Sequence, residues 1–390
     1  MTSASSSRLP ADELPSALEA ALRQRIPAAH NATITNWRPA EQGFSTETYL
    51  FDLVDVESSD TAATGTQGLV FRRPPDFAVL PDFDLRRQYL VMQRLANSAV
   101  PVPKTRWIDA EGVDLGTPYF VMDRIDDVVS VSDVPSYHHE GVFAETDDNG
   151  RARLSNGCVD LIARVHQINT AERCLGFLDL RGFGATPPQR LLNFLRYALD
   201  WAGDDRPLHP GLTRALDWAD NHMYVPSRVT LCWGDSRMSN VLYAAGDHHP
   251  VAALDWEIAY LGDPGADLAW MFLTDWVSSP LDGHASLHGT PTREETLERY
   301  AGLTGSRPSN MFHRCAAAGR SADPAQQETR PRGCRPRRHL CTADRIRSGW
   351  ALTTPNRAES PFVSQCMARW GDGHGRRPAR FQPRGQAAFS

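Results

Sequence analysis

The stretch Val229–Met271, VTLCWGDSRMSNVLYAAGDHHPVAALDWEIAYLGDPGADLAWM, decides how this chain is read. It opens with a short β-prone run, Val229–Cys232, and Asp235 stands where that run gives way to a loop. Asn240 follows five residues later, and the strand-like segments Val241–Tyr243 and Val251–Leu254 flank the turn-forming Gly246-Asp247. Such a hairpin would bring Asn240 and Asp255 together across neighbouring strands. Taken singly, these residues say little: an Asp after Gly is commonly a turn residue, and an Asp before Trp256 can cap a strand. In order, the strand, Gly-Asp, Asn, hairpin and Asp-Trp-Glu deliver three oxygen-bearing side chains to one place. A carboxylate suits an acceptor hydroxyl, and amide and carboxylate oxygens suit Mg²⁺. Arg237, two residues after Asp235, would set a cation where negative charge must be offset.

Upstream, residues 1–14 are polar and Ser-rich and a helix is expected over about 15–26. A strand-turn-strand pattern follows, ending in the apolar run Gly68-Leu69-Val70-Phe71. Residues 82–97 place Leu85, Tyr89, Met92 and Leu95 at helical spacing, with Asp82 or Asp84 near the cap. Strands are predicted at Lys104–Ile108 and Tyr119–Met122. Beyond Ile125 the texture turns helical, with helices over 153–169, 187–203, about 211–223 and Asp267–Trp276. Strands first and helices later predict an α+β fold with a cleft between two lobes. The expected division is a flexible 1–14, a first lobe 15–122, a hinge 123–126, a helical second lobe 127–312 and a tail 313–390.

The motifs Trp233-Gly234-Asp235…Asn240, Leu254-Asp255-Trp256-Glu257 and Gly262-Asp263-Pro264…Asp267-Leu268-Ala269 resemble the signature of the aminoglycoside phosphotransferase/choline kinase superfamily. The likeness runs over about residues 30–312 and is strongest to the actinobacterial and acyl-CoA-dehydrogenase-associated branch. It implies a protein-kinase-like fold with a small β-rich N-lobe and a larger helical C-lobe, and ATP with Mg²⁺ as cofactors. By the same resemblance Asp235 is the catalytic base, Asn240 and Asp255 are magnesium ligands, and Asp267 braces the catalytic loop. Relatives act on aminoglycosides, choline, amino-sugars and hydroxyacyl thioesters, so the implied partner is a small-molecule hydroxyl. The family usually carries His where Trp233 stands, and a Trp there is expected to pack under the loop. Residues 41–48, with Gly43, Phe44 and Ser45 at their centre, resemble the loop that covers the phosphates, although a plain hairpin turn reads equally well. Arg72 occupies the position of the kinase strand-3 lysine. Gln88 stands where relatives have Glu, able to hydrogen-bond Arg72 but not to form an ion pair. Met122, Asp123, Arg124 and Ile125 would offer backbone groups to adenine.

Composition narrows the functions. The net charge of -6 hides a split: residues 307–390 hold 16 Arg and 5 acidic residues, and the rest has 25 basic against 42 acidic. A body that acidic repels polyanions, so nucleic acid is an unfavoured partner. With no long apolar run and no apolar leader after the N-terminus, a cytoplasmic location and no membrane partner are expected. The seven cysteines form no CxxC pair, which argues against zinc. His166 is expected to be packed, while His138-His139 and the acidic run Asp126 to Asp148 read as solvated loop.

Lys104 is the sole lysine, and past about Phe312 periodicity disappears into Arg, Pro and Gly. An Arg-rich, GC-biased gene read out of frame yields such residues, so 313–390 is expected to be frameshifted or otherwise non-native, with the end of the C-lobe aberrant or missing. A disordered basic extension and a nucleic-acid- or membrane-binding arm are the alternatives. Two functions therefore stay open: an ATP- and Mg-dependent phosphotransferase, or a nucleotide-binding pseudoenzyme or non-functional truncated homologue.

Overall fold

The computed structural model describes residues 8–25, 30–40, 46–56, 65–75, 80–81, 83–203, 207–208, 210–278 and 287–307. Gly43, Phe44, Ser45 and the tail from 313 onward lie outside the described residues.

The first half is one antiparallel sheet with a helix on each face. Helix α1 (Leu14–Arg25) buries Leu14, Leu18, Ala21 and Leu22, the apolar stripe of an amphipathic helix. Strands β1 (Thr33–Pro39), β2 (Glu47–Val56) and β3 (Gly65–Arg73) pair in sequence. Helix α2 (Leu85–Leu95) starts where the Asp84 carboxylate accepts the Arg86 N–H at 2.9 Å. Strands β4 (Thr105–Asp109) and β5 (Tyr119–Asp123) complete the order β1-β2-β3-β5-β4. Side-chain alternation then sorts the strands: Leu69, Phe71, Tyr119 and Val121 pack with α1, and Val70, Phe120 and Met122 pack with α2. Arg72, two residues after Val70, falls on the α2 side. That parity aims a cation at the cleft.

The second half is built around one buried helix. It runs from β6 (Val128–Val129) through α3 (Val142–Glu145) to α4 (Asp148–His166). The Asp147 side chain caps α4 by accepting the Gly150 N–H at 2.6 Å. Along α4, Leu154, Cys158, Leu161, Ile162 and Val165 are wholly covered, each apolar side chain of that size contributing about 1.5–3 kcal/mol. Then come α5 (Pro187–Gly203), α6 (Pro210–Asp220), β7 (Thr230–Cys232), β8 (Val241–Ala244), β9 (Pro250–Ala253), β10 (Tyr260–Gly262), α7 (Gly265–Ser278) and α8 (Arg293–Thr304). Strands β6-β8-β9 form one small sheet, and β7 pairs with β10. Helix α4 packs on α7, α8, β7 and β9, so it supports the loop between β7 and β8 from behind.

The α+β architecture with a β-rich first lobe and a helical second lobe is present. The β8–β9 hairpin is also present, and its register opposes Val241 to Ala253. Helix α4 begins five residues before the predicted 153, because Asp147 supplies a cap. Elements α3, β6, β10 and α8 were not anticipated. Two readings need correction. His138 is buried, its Nε2 3.0 Å from Asp275 Oδ1, because α7 packs beside its loop. In the acidic run Asp133 is drawn in by Arg237, while Asp126, Asp127, Glu140, Glu145, Asp147 and Asp148 are exposed as expected. Among the described residues, no helix is long and apolar enough to cross a membrane.

Candidate active site

The β7–β8 loop carries Asp235 and Asn240, and a single glycine lets it turn. Gly234 has φ +88°, and a Cβ there would lie 2.4 Å from the carbonyl oxygen of Ile258. Only glycine permits both the left-handed backbone and the close approach. The loop is then pinned from below by Asp267 at the start of α7. Its Oδ2 accepts the Trp233 N–H at 2.6 Å and its Oδ1 accepts the Gly234 N–H at 3.0 Å. The Ser236 hydroxyl donates to the Asp267 carbonyl at 2.8 Å. His166 Nε2 lies 3.0 Å from Asp267 Oδ2, and His166 Nδ1 lies 2.9 Å from the Tyr300 hydroxyl. Asp267 is therefore a buried brace, and His166 extends it to α8. Cys232 brings a third ligand-type atom to within 4.8 Å of His166 and Asp267. Its thiol donates to the Asp263 carbonyl at 3.4 Å, and the other two are joined to the loop and to Tyr300, so the cluster reads as a brace.

Trp233 packs under the loop as expected. It is fully buried, stacks on Trp256 at 5.5 Å between ring centres and donates its indole N–H to the Leu254 carbonyl at 2.7 Å. That contact holds the loop against the segment that carries Asp255. The Leu254 N–H in turn donates to the Asn240 carbonyl at 2.9 Å. Hence Asp235, Asn240 and Asp255 converge.

At the centre, Asn240 Nδ2 donates to Asp235 Oδ2 at 2.7 Å and to the Asp235 carbonyl at 2.8 Å. Arg237 reaches Asp235 Oδ2 through Nε at 3.1 Å and Nη2 at 3.0 Å. The Trp270 indole N–H donates to Asp235 Oδ1 at 2.8 Å. Burial pushes the Asp235 carboxyl above the usual carboxylate range, Arg237 pulls it back and the charge of Asp255 adds to the rise. A base with a raised pKa takes a proton from a hydroxyl more readily.

Arg72 comes from the first lobe. Its Nη1 donates to Asp255 Oδ1 at 2.8 Å, and its Nε donates to Thr46 Oγ1 at 2.9 Å. Asp255 adopts φ +53°, a conformation that is uncommon outside glycine and that clusters at functional sites. The donor set suits magnesium. Asn240 commits its amide nitrogen to Asp235, and its Oδ1 accepts from no described residue. Asp255 Oδ2 is likewise clear of described donors, so a hard cation finds two oxygens of the kind it prefers.

Other expected residues are placed less simply. The Gln88 amide does not meet Arg72: the side chain is 1% exposed, and neither of its polar atoms has a hydrogen-bond partner among the described residues. Arg72 turns to Asp255 and Thr46 instead, since an ionised carboxylate attracts a guanidinium more strongly than a neutral amide. In the hinge, the Asp123 N–H donates to the Lys104 carbonyl at 2.8 Å and the Arg124 N–H to the Gly68 carbonyl at 3.0 Å. Their side chains pair with Arg106 and with Asp52 and Asp126. Met122 lies buried in β5, so the Ile125 N–H is the hinge donor not committed to the sheet.

Sequence reasoning missed three contributors. Asp133 Oδ2 accepts from Arg237 Nη1 at 2.5 Å and from the Ser239 hydroxyl at 2.8 Å, fixing the loop from the acidic segment. Trp270 holds the Asp235 carboxylate, and Thr46 holds Arg72. Only Trp270 had a local signal, lying one helical turn after Asp267 on the same face.

The model of the "Phosphotransferase enzyme family" matches residues 36–308. The chain is 24% identical over 268 residues to acyl-CoA dehydrogenase family member 10 of Mus musculus, covering 67% of this chain and 23% of that protein. It is 22% identical over 259 residues to acyl-CoA dehydrogenase family member 11 of Pongo abelii, covering 64% of this chain and 32% of that protein. The match thus spans a third or less of the length of these relatives. Among solved structures, a Ralstonia eutropha protein described as an aminoglycoside phosphotransferase superposes with a TM-score of 0.55 at 22% identity, covering 78% of this chain and 86% of that one. The macrolide 2'-phosphotransferase MphH of Brachybacterium faecium superposes with a TM-score of 0.51 at 16% identity, covering 92% and 99%. These likenesses establish the two-lobed, protein-kinase-like fold.

Proposed function

The chain belongs to the phosphotransferase enzyme family, and we propose that it transfers the γ-phosphoryl group of ATP, with magnesium, to a hydroxyl of a small molecule. One observation carries the reading: Asn240 bonds directly to Asp235, its carbonyl accepts the N–H of Leu254 beside Asp255, and Asp255 is met by Arg72 from the other lobe. Asp235 orients the acceptor hydroxyl and takes its proton as the new P–O bond forms and the bond from the γ-phosphorus to the β–γ bridging oxygen breaks, releasing ADP. Asn240 Oδ1 and Asp255 would hold magnesium, which when bound offsets negative charge on the phosphate oxygens. Arg72 supplies a positive charge on the nucleotide side of the cleft, and Ile125 offers its N–H to the adenine edge. Arg237, spanning Asp133 and Asp235, keeps the local charge near balance. We assign the protein to the cytoplasm, with a small-molecule acceptor and neither nucleic acid nor membrane as partner.

A second reading, a nucleotide-binding protein without transferase activity, draws on Gln88, whose unpartnered amide leaves Arg72 without the acid that relatives place there. ADP release by the full chain, screened over aminoglycosides, choline, amino-sugars and hydroxyacyl thioesters, separates the two. The kinase reading expects release that depends on one acceptor class and disappears in Asp235→Ala, while magnesium and ATP still raise the melting temperature of that variant. A magnesium- and ATP-dependent rise with no acceptor-dependent release favours the second reading. No rise in well-folded protein refutes both.

A further inference from the structure

Hydrogen-bond counting at Asp235 leaves one direction open. An ionised carboxylate offers about four lone-pair sites, two on each oxygen. Oδ2 takes Asn240 Nδ2 and the Arg237 guanidinium, which fills it. Oδ1 takes only the Trp270 indole N–H. The side chain keeps 16% of its surface open, so the remaining site can be reached. An indole N–H donates and cannot accept, so Trp270 fixes the carboxylate without competing for the proton. Its position is doubly set, because Asp267, one turn earlier on α7, binds the backbone immediately before Asp235.

We propose that Trp270 is the positioning residue of the acceptor side: its indole N–H holds Asp235 Oδ1 so that the remaining lone pair of that oxygen is kept for the acceptor hydroxyl. The proposal rests on the phosphotransferase reading above and adds a determinant of which hydroxyls are served. An acceptor whose hydroxyl cannot reach that lone pair would present its O–H off line. Phosphoryl transfer to such a hydroxyl would be slow even with nucleotide correctly bound.

The test uses the full chain and the acceptor identified by the ADP-release screen. Trp270→Phe keeps a ring and removes the donor, while Trp270→His keeps an N–H. Losing one hydrogen bond to a charged group predicts a fall of about tenfold to hundredfold in acceptor-dependent kcat/KM for the Phe variant. The KM for ATP should stay within about twofold, and His should recover at least part of the loss. A readout without turnover accompanies it. In wild-type protein lacking nucleotide, the acceptor should shift one indole N–H resonance, the one missing from either Trp270 variant, and calorimetry should show weaker acceptor binding by the Phe variant. If Phe matches wild type in coupled rate, or the acceptor leaves that resonance unmoved, the proposal is overturned while the kinase reading stands. If wild type transfers to no acceptor, the kinase reading falls and this inference with it.

Discussion

Asp267→Asn tests the brace beneath the catalytic loop, and its cost follows from counting donors. The native carboxylate faces three: the Trp233 N–H and His166 at Oδ2, and the Gly234 N–H at Oδ1. An asparagine must place its NH₂ at one of the two positions. With NH₂ at δ1 it faces the Gly234 N–H, and with NH₂ at δ2 it faces the Trp233 N–H, so one buried backbone donor meets another donor either way. His166 can adapt in the second case by accepting, with Nδ1–H then donating to Tyr300. The backbone amide cannot. Leaving one buried donor unpaired costs about 1–3 kcal/mol, and replacing charge-assisted bonds by neutral ones adds about 1 kcal/mol. The sum, about 2–4 kcal/mol, is a large part of a margin of about 5–15 kcal/mol. At about 1–2 °C per kcal/mol for a chain of this size, the melting temperature should fall by about 2–8 °C. Differential scanning calorimetry on full-length wild type and variant reads this directly. A melting temperature within 1 °C of wild type would show that the loop does not depend on Asp267.

Three further outcomes follow from the same contacts. Gly234→Ala should destabilise by at least about 2 kcal/mol and abolish transfer, since its Cβ meets the Ile258 carbonyl in a left-handed backbone; soluble yield and melting temperature measure the first, ADP release the second. Gln88→Met should raise stability by about 1–2 kcal/mol in urea denaturation, because it removes a buried amide that has no described partner; a loss of stability would mean that the amide is satisfied. Thr292→Ala breaks a capping box in which the Thr292 hydroxyl and the Glu295 side chain exchange bonds with each other's backbone; it should cost about 1 kcal/mol, read as a lower denaturation midpoint.

The convergence of Asp235, Asn240 and Asp255 was legible because its signals are local. Asp235 and Asn240 belong to one short loop, and hairpin pairing returns Asp255 within a further fifteen residues. Arg72 was legible through the family resemblance, and strand parity, two residues after an inward Val70, accounts for its direction. Helix α8 had a readable start in Thr292-Arg-Glu-Glu295, but only Thr296, Leu297 and Tyr300 of its length are buried, too few to show a strong apolar period. Strands of two or three residues, such as β6 and β10, contain no period to detect. His138 was misread because its neighbours are polar, whereas its burial is decided by Asp275, 137 residues downstream.

The same distinction explains why the supports of the base stayed hidden while the base did not. In the proposed reaction the separation of Asp235 from Asn240 is fixed by chemistry, since one loop would present a carboxylate to the acceptor hydroxyl and an amide oxygen to magnesium. Nothing comparable fixes the separation of Asp133 from Arg237, 104 residues, or of Trp270 from Asp235, 35 residues. Those distances depend on where the segment after β6 crosses the cleft and how α7 lies on α4, which is set by packing of the whole lobe. Their chemistry is nonetheless specific. Asp133 is a second acid that shares Arg237 with Asp235, and Trp270 is a donor that cannot take a proton from the carboxylate it holds. Together with Asn240 they fix the direction in which the Asp235 carboxylate faces. A lobe that lost either contact would keep every residue of the recognisable motif and still hold Asp235 in the wrong direction.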